Sequence, residues 1–420
     1  MGIEHVRRAI ISHFDKVESF LGGKVDDIFL PLYSSVDVRT NGIKSAVVDT
    51  NLFPAGFNNL CQFSTTHIPN IFKDIILNRV PSCKHILVLA ENHTRNVWYW
   101  ENMFVLKDFL ETSGFDVKVA IMKEGLGFSG DSMRIETALS NSVDVYSLES
   151  VLSQCSEDYF DFILLNNDLT KGVPEVLKQV NVPIYPSYAA GWHSRIKTHH
   201  FQEVNILMKG LSDFIDFDPF YTSTDFVEIN NVDINSDLDR RRLVDSADFL
   251  FDRLEKAYKK RQIDQKPLLF LKANRGTYGM GVVPIECSDD ILEFNRRSRN
   301  KLSKGKESQE IREFILQEGV PSSLKVNDQV AELCLYFAEK QYLGGFYRLN
   351  SQKSDRENLN SRGMSFQKMC VKDDLRCPFS KDDNACGEEL IQHFLYYKFL
   401  GLVSIYAAHQ EIKVLEKTLV

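Results

Sequence analysis

The sequence lacks the features that mark a membrane-spanning, secreted or nucleic-acid-binding protein. It has no apolar run as long as the roughly 18 residues that a membrane-spanning helix needs. Its first residues, Met1 to Arg8, contain no apolar core of a signal peptide. The 50 Lys and Arg residues are outnumbered by 58 Asp and Glu, and the net charge of -8 offers no basic excess for nucleic acid or an anionic membrane. We therefore expect a cytoplasmic protein with small-molecule partners, and its oligomeric state, homo-oligomers included, is left open.

Closely paired cysteines are also lacking. The 8 cysteines are scattered and form no C-x-x-C motif, so neither a zinc knuckle nor a disulfide framework is indicated. What the sequence does have is an ordinary globular composition, with 43% hydrophobic and 26% charged residues over 420 positions. A chain of this size has room for two or three domains.

An apolar run, a lysine, a glycine-rich segment and a second apolar run follow one another at residues 268–285. A Walker loop needs its lysine after the last glycine, and a Rossmann fingerprint opens a helix. Here Lys272 precedes the glycines, and residues 282–285 are typical of a strand. This order predicts a hairpin whose glycine tip brings backbone N–H groups to phosphate oxygens, with Lys272 as an added cation. The alternative is an ordinary glycine-rich turn without a ligand, and the surrounding sequence has to decide between the two.

Short apolar runs alternate with helix-period segments in the first half of the chain. This alternation predicts an α/β fold with a mostly parallel sheet. Polar clusters at 91–96 and 166–168 follow two of the runs. Because ligands of such sheets bind beyond the carboxyl ends of the strands, both clusters are candidate binding loops. The runs lie at residues 85–90, 117–122, 160–165 and 182–185.

Changes in hydrophobic pattern and in charge along the chain predict where one domain ends and the next begins. A charged stretch from about 238 to 262 is typical of a helical connector, and Pro267 opens the strand before the glycines. The basic run at 296–306 is interpreted as a solvated face, because the chain as a whole is acidic. The predicted units are an N-terminal α/β substrate-binding domain at 1–190, a connector at 191–264, a lid at 265–316 and a C-terminal catalytic subdomain at 317–420.

Three polar residues follow the glycine segment in an informative order. Gln317 and Glu318 end one apolar run, and Arg348 lies in a later one. The segment from Lys272 to Arg348 resembles the ATP-grasp superfamily. That resemblance implies a lid hairpin over ATP, a hinge beside adenine and ribose, and an arginine near the γ-phosphate. It also implies a second lysine before the lid, for which Lys197 is the candidate.

Five longer sequence segments narrow the resemblance from the superfamily to one family. Together, residues 48–60, 91–96, 272–281, 344–348 and 357–360 resemble a bacterial glutamate-cysteine ligase of the ATP-grasp type, from about residue 8 onward. The resemblance implies an ATP-grasp architecture with an N-terminal Rossmann-like domain, and ATP and Mg²⁺ as cofactors. It implies that ATP phosphorylates the side-chain carboxylate of glutamate and that the cysteine amine attacks the acyl phosphate. The products are γ-glutamylcysteine, ADP and phosphate, in the first step of glutathione synthesis.

Three alternatives stay open on the sequence alone. One is another ATP-grasp carboxylate-amine ligase, such as glutathione synthetase. A second is a nucleotide sensor that binds ATP without turnover, motivated by the missing Glu-x-Asn pair that usually holds Mg²⁺ in this superfamily. A third, a Rossmann-type oxidoreductase, is disfavoured by the strand that follows the glycines.

The candidate site residues follow from these motifs and from the resemblance. Arg348 and Lys272 are the candidate catalytic residues. The nucleotide is expected to bind Lys197, Lys272, Gly276, Thr277, Tyr278, Gly279, Met280, Gly281, Gln317 and Glu318. Charged forks and amides suit an amino-acid substrate, and the candidates for it are Asp49, Asn51, Asn58, Asn59, Glu91, Asn92, Arg95 and Arg195. For Mg²⁺ the oxygen-bearing candidates are Glu332, Asn358 and Asn360, although a phosphate contact or a turn explains the two asparagines as well.

Overall fold

The structure is a computed structural model that describes most of the chain. Among the predicted site residues, Arg95 and the loop residues Thr277, Tyr278, Gly279 and Met280 lie outside the described residues. The described residues are 2–25, 30–61, 66–92, 96–122, 131–154, 159–276, 281–305, 310–369, 371–372, 375–376 and 393–419.

Helices and strands alternate in the first half, and strands dominate the second. The described helices are α1 Ile3–Ser12, α2 Phe14–Gly22, α3 Ile68–Arg79, α4 Val97–Thr112, α5 Leu148–Gln154, α6 Glu175–Gln179, α7 Lys197–Ile215, α8 Asp237–Lys260, α9 Arg296–Ser303 and α10 Phe394–Leu419. The described strands are β1 Ser34–Thr40, β2 Ser45–Asn51, β3 His85–Ala90, β4 Asp116–Ile121, β5 Ser132–Glu136, β6 Ser142–Ser147, β7 Phe162–Asn166, β8 Ile184–Tyr185, β9 Phe226–Ile229, β10 Leu269–Ala273, β11 Val282–Ile285, β12 Phe314–Glu318, β13 Lys325–Val326, β14 Gln329–Ala338, β15 Gln341–Asn350, β16 Met364–Met369, β17 Val371–Lys372 and β18 Leu375–Arg376. No helix of the described residues is both long and apolar enough to cross a membrane.

A six-stranded sheet of order β5-β6-β4-β3-β7-β8 forms the α/β part of the molecule. Its strands are parallel except for the edge strand β5. Strand β3 is apolar and buried from Ile86 to Ala90, because helices cover both faces of the sheet. Ile86 and Val88 pack with Phe72 and Trp100 of α3 and α4, and Leu87 on the other face packs in a second core. The parallel sheet predicted from the sequence is therefore present.

An antiparallel sheet of order β16-β15-β14-β1-β2, with β13 added to β14, forms a second layer. Residues 34–51 supply β1 and β2, and β1 pairs with β14 of the C-terminal part. Val36 and Val38 of β1 pack into the core with α7 and α10. Asp37 and Arg39, on the alternate positions, line a cleft on the opposite face. The predicted division at residue 190 stays a prediction, and the strands of segment 34–51 lie in the C-terminal sheet.

A four-stranded antiparallel sheet of order β11-β10-β12-β9, with α8 packed against it, contains the strands of the segment predicted as a lid, and we call it the lid sheet. Strands β10 and β11 form the hairpin predicted around the glycine segment, with Lys272 opposite Val282. Helix α8 occupies the stretch predicted as a connector helix, and the Ser236 side chain caps it by accepting the Asp239 N–H. The α/β class is confirmed, and the two antiparallel sheets with a cleft between them form the ATP-grasp architecture that the resemblance implies.

Candidate functional site

A cleft with a solvent-accessible volume of about 70 Å³ lies between the lid sheet and the antiparallel sheet of β14 and β15. It brings together side chains that are far apart in sequence, such as Asp37 and Arg348, which are 311 positions apart. Many of the residues predicted from the sequence line it, namely Asp49, Lys197, Lys272, Gly276, Glu318, Glu332, Arg348, Asn358 and Asn360. The other residues of its lining are Asp37, Arg39, Val48, Phe270, Val282, Gly319 and Val320.

Arginines and carboxylates interlock on the sheet side of the cleft. Arg348 of β15 lies directly opposite Glu332 of β14 and donates to it through Nη1. The same Nη1 also donates to Asp37 Oδ2 at 2.7 Å. Arg39 Nε donates to the second oxygen of Glu332 at 2.8 Å. Burial would raise the pKa of Glu332, but the charges of Arg39 and Arg348 lower it below its usual value, so its carboxylate is ionised.

Asp37 differs from Glu332 because its surroundings disfavour the ionised carboxylate. Burial and repulsion from Glu332 and Asp49 raise its pKa, and the charge of Arg348 opposes the rise. Asp37 also lies directly opposite Asp49 on the neighbouring strand β2. The sheet therefore presents three carboxylates and two guanidinium groups to one cleft.

Two lysines, one at the start of helix α7 and one on strand β10, line the same cleft. Lys197 at the start of α7 donates to Asp49 Oδ1 at 2.7 Å. Lys272 of β10 donates to the Val48 carbonyl oxygen at 3.0 Å and to Gln317 Oε1 at 2.7 Å. Burial lowers the pKa of Lys272 to about 7, despite the attraction of Asp49. Burial would raise the pKa of Asp49, but Lys197 and Lys272 bring it down to about 2.

The hinge residues predicted for the nucleotide are held by the protein itself. Both Glu318 oxygens accept from Lys44 Nζ at 2.6 Å, and Tyr258 Oη donates to Oε1 at 3.2 Å. Gln317 is buried and bridges Lys272 to Thr224. A ribose contact for the Glu318 side chain stays a prediction without support from its contacts. The chain at Glu318, Gly319 and Val320 nevertheless lines the cleft.

Most residues predicted to bind the amino acid do not line the cleft. Of the described candidates, only Asp49 lines it, whereas Asn51, Asn58, Asn59, Glu91, Asn92 and Arg195 do not. Arg195 is buried and donates to Glu411 at 3.0 Å and to the Thr50 carbonyl oxygen at 2.8 Å. Asn51 Oδ1 accepts the Phe53 N–H. These substrate roles remain predictions, and the contacts give them no support.

The predicted metal ligands have mixed surroundings. Both oxygens of Glu332 accept from arginines. Asn358 Oδ1 accepts the Asn360 N–H at 3.0 Å, which closes the turn weighed above as an alternative. Within the described part of the chain, no group of three or more His, Cys, Asp or Glu side chains is arranged to hold a metal ion.

Sequence reasoning missed Asp37 and Arg39. The only available signal is the alternation in β1, where Asp37 and Arg39 occupy one face and Val36 and Val38 the other. Such alternation is equally typical of a strand with one face in water. The pairing of β1 with β14 turns that face toward Glu332.

Comparisons with known proteins bear on the family and on the fold. A model of the glutamate-cysteine ligase family matches residues 7–412. The crystal structure of a candidate gamma-glutamylcysteine synthetase from Methylobacillus flagellatus KT superposes with a TM-score of 0.83 and 27% sequence identity, covering 98% of this chain and 96% of that one. A D-alanyl-alanine synthetase A from Vibrio cholerae superposes with a TM-score of only 0.33 and 13% identity over 76% of this chain and 81% of that one, too weakly to support an argument.

No curated protein matches the chain. The family model nevertheless covers nearly its whole length, which confirms the resemblance stated from the sequence words. The chain belongs to the glutamate-cysteine ligase family and is a ligase.

Proposed function

We propose that this ligase joins the side-chain carboxylate of glutamate to the amine of cysteine at the expense of ATP. A glutamate oxygen attacks the γ-phosphorus of ATP, ADP leaves, and γ-glutamyl phosphate forms. The cysteine nitrogen then attacks the acyl carbon, phosphate leaves, and the nitrogen loses a proton. The product is γ-glutamylcysteine, the first intermediate on the way to glutathione.

The observation that carries the proposal is the set of four cations around one cleft. Arg39 and Arg348 line it from the sheet, Lys197 from α7 and Lys272 from the lid. Phosphoryl transfer depends mainly on positioning and on cations that stabilise the charge spread over the phosphoryl oxygens. Their placement on both sides of the cleft suits a polyphosphate bound between lid and sheet.

The lid hairpin and the hinge would orient the nucleotide. Gly276 has a φ of 102°, a left-handed conformation that glycine adopts readily, and it lines the cleft beside Lys272. At the opposite end of β10, the backbone at Gly319 and Val320 also lines the cleft and offers peptide groups to a base. The triphosphate would then extend along β10 from the hinge toward the hairpin tip. This orientation follows the resemblance and rests on the positions of these residues.

The donor set of the cleft fits Mg²⁺, which prefers oxygen ligands and usually binds one or two carboxylates together with substrate phosphates. Asp37 and Asp49 present carboxylates from facing positions of β1 and β2. Asn358 and Asn360 line the same cleft. We assign Asp37 as the acid that would hold Mg²⁺, with Asp49 next to it. A bound Mg²⁺ ion would neutralise phosphate charge.

The proposal is tested with the purified chain, ATP, Mg²⁺, glutamate and cysteine. Mass spectrometry should find γ-glutamylcysteine, formed in equal amount with ADP and only when both amino acids are present. In the absence of cysteine, hydroxylamine should trap the acyl phosphate as glutamyl hydroxamate. ADP release that ignores cysteine, or that prefers another amine, would instead assign the chain a different carboxylate-amine ligation.

A further inference from the structure

Two arginines, on the two strands β1 and β15 that flank β14, hold the Glu332 carboxylate of β14 between them in the cleft. Arg39 donates through Nε to Glu332 Oε2 at 2.8 Å, and Arg348 donates through Nη1 to Oε1. The side chains are only 5%, 12% and 4% exposed for Arg39, Arg348 and Glu332. Glu332 thus fixes the position of both guanidinium groups.

Each guanidinium keeps a buried nitrogen that donates to no acceptor among the described residues. These atoms are Arg39 Nη1 and Arg348 Nε. Buried donors are nearly always paired, because an unpaired N–H loses its hydration without compensation. Both arginines line the cleft, so an anion bound between them would satisfy both donors.

Arg39 also contacts the lid strand β10 and the loop that contains Glu357. Its guanidinium carbon lies 5.7 Å from the ring centre of Phe270 on the lid strand β10. Its Nη2 donates at 2.8 Å to the carbonyl oxygen of Glu357, in the loop whose Asn358 and Asn360 line the cleft. Arg39 therefore lies between the lid strand that carries Lys272 and the strand that carries Arg348.

We propose that Arg39 joins Arg348, the arginine that the resemblance already places near the γ-phosphate, in binding the transferring γ-phosphoryl group, with Arg39 Nη1 and Arg348 Nε donating to its oxygens. In this arrangement Glu332 is a positioning residue that orients both arginines, and it is not a ligand of Mg²⁺. The inference rests on the proposed function, because it requires ATP as the phosphoryl donor. A glutamate carboxylate is an oxyanion of similar chemistry, and the experiment separates the two.

The experiment measures binding of ADP and of the non-hydrolysable analogue AMP-PNP, each with Mg²⁺, by titration calorimetry. Arg39→Ala removes the guanidinium, and Arg39→Lys keeps a charge beside Glu332 but loses the fork. Both variants should bind AMP-PNP at least about tenfold more weakly, because a charge-assisted hydrogen bond to the γ-phosphate is lost. Their affinity for ADP should stay within about twofold of the wild type.

Arg79→Lys is the matched control. Arg79 is a buried arginine that pairs with Glu339 at 2.6 Å and does not line the cleft. This variant should change the affinity for neither nucleotide. Arg39→Lys keeps the test decisive if Arg39→Ala fails to fold, which a thermal melt would show.

Several results would overturn the assignment of Arg39. Equal loss of ADP and AMP-PNP affinity would place Arg39 away from the γ-phosphate. Unchanged AMP-PNP affinity combined with a raised KM for glutamate would assign it to the carboxylate of the amino acid. A wild-type chain that binds neither nucleotide would overturn the proposed function as well, whereas wild-type binding of both leaves that function standing.

The role of Glu332 has its own test. Glu332→Gln should weaken AMP-PNP relative to ADP, as the Arg39 variants do, because the arginines lose their common anchor. AMP-PNP binding titrated with Mg²⁺ should keep the same midpoint as in the wild type. A midpoint shifted to at least about tenfold more Mg²⁺ would make Glu332 a metal ligand and overturn its positioning role.

Discussion

Two buried polar regions of this molecule look alike in sequence and differ in structure. One is the cleft around Arg348. The other, which we call the strand-end junction, lies where the parallel strands β3 and β7 end. Its residues are Glu91, Tyr99, Asn166, Asn167 and Asp168, all of them buried.

The polar groups of the strand-end junction form hydrogen bonds with other protein groups. Asn166 Nδ2 donates to the Pro54 carbonyl oxygen at 2.9 Å, and Asn167 Nδ2 donates to the Ala90 carbonyl oxygen at 3.0 Å. Glu91 Oε1 accepts the Asp168 N–H at 2.9 Å. The junction thereby fastens the loop after β2 to the parallel sheet.

The cleft differs because its polar groups surround an open volume and two arginine donors there lack acceptors among the described residues. Both regions lie in places where ligands commonly bind, one at the ends of parallel strands and the other between two sheets. Burial of polar residues therefore does not distinguish a binding site from a structural junction. The two are distinguished here by the open volume of the cleft and by its two donors that lack acceptors among the described residues.

The largest expected effect belongs to the cleft. Lys272→Ala should lower kcat by at least about a hundredfold, because a cation that stabilises transferring charge is removed. The measurement is steady-state ADP formation, with folding checked by thermal melting. Lys304→Ala, an exposed lysine of the same lid outside the cleft lining, is the control and should keep kcat. Near-normal turnover of Lys272→Ala would exclude this lysine from the mechanism.

A substitution in the junction should affect stability instead. Asn166→Ala removes hydrogen bonds to Tyr33, Tyr99 and the Pro54 carbonyl oxygen. We expect the free energy of unfolding in urea to fall by about 3 kcal/mol, since buried groups lose their partners. The kcat of the folded variant should change by less than about threefold. A large loss of kcat with unchanged stability would make the junction part of the active site.

Proton uptake tests the state of Lys272. With a pKa of about 7, lowered by burial, its amine is mostly neutral at pH 8 in the free protein. Phosphate charge raises the pKa of a neighbouring amine, so AMP-PNP binding should take up nearly one proton at pH 8 and almost none at pH 6. Calorimetry in buffers of different ionisation enthalpy measures this. Lys272→Met should abolish the uptake, and equal uptake at both pH values would refute the assignment.

The smallest effect is expected at Asn58. The sequence words predict a substrate contact there, but the residue does not line the cleft. Asn58→Ala should therefore leave KM for glutamate and kcat within about twofold of the wild type. A KM raised more than about tenfold at unchanged stability would restore the substrate role and weaken the contrast between the two regions.

Local patterns made much of the fold predictable. The apolar runs at 85–90 and 160–165 became β3 and β7 of a parallel sheet. The apolar runs flanking the glycines became the hairpin of β10 and β11. Order along the chain also selected Lys272, Arg348 and Lys197, and all three line one cleft. The strands, the hairpin and this shared location were predictable from periodicity and from short sequence motifs, which are properties of neighbouring residues, while the roles of the three residues stay predictions.

Long-range pairing made the rest unpredictable. Nothing local to β1 shows that it joins β14, and so Asp37 and Arg39 were missed. The Glu318 side chain was assigned to ribose, yet its carboxylate meets Lys44, a residue far away in sequence.

The sequence by itself determined the α/β class, the lid hairpin and the family, because these follow from periodicity and from words of adjacent residues. The tertiary structure alone decided which polar residues face the cleft and which are bonded within the protein. The physical reason is that a carboxylate or guanidinium acquires its role from the charges and space around it. Those surroundings form only when strands from distant parts of the chain pair, as β1 and β14 do here.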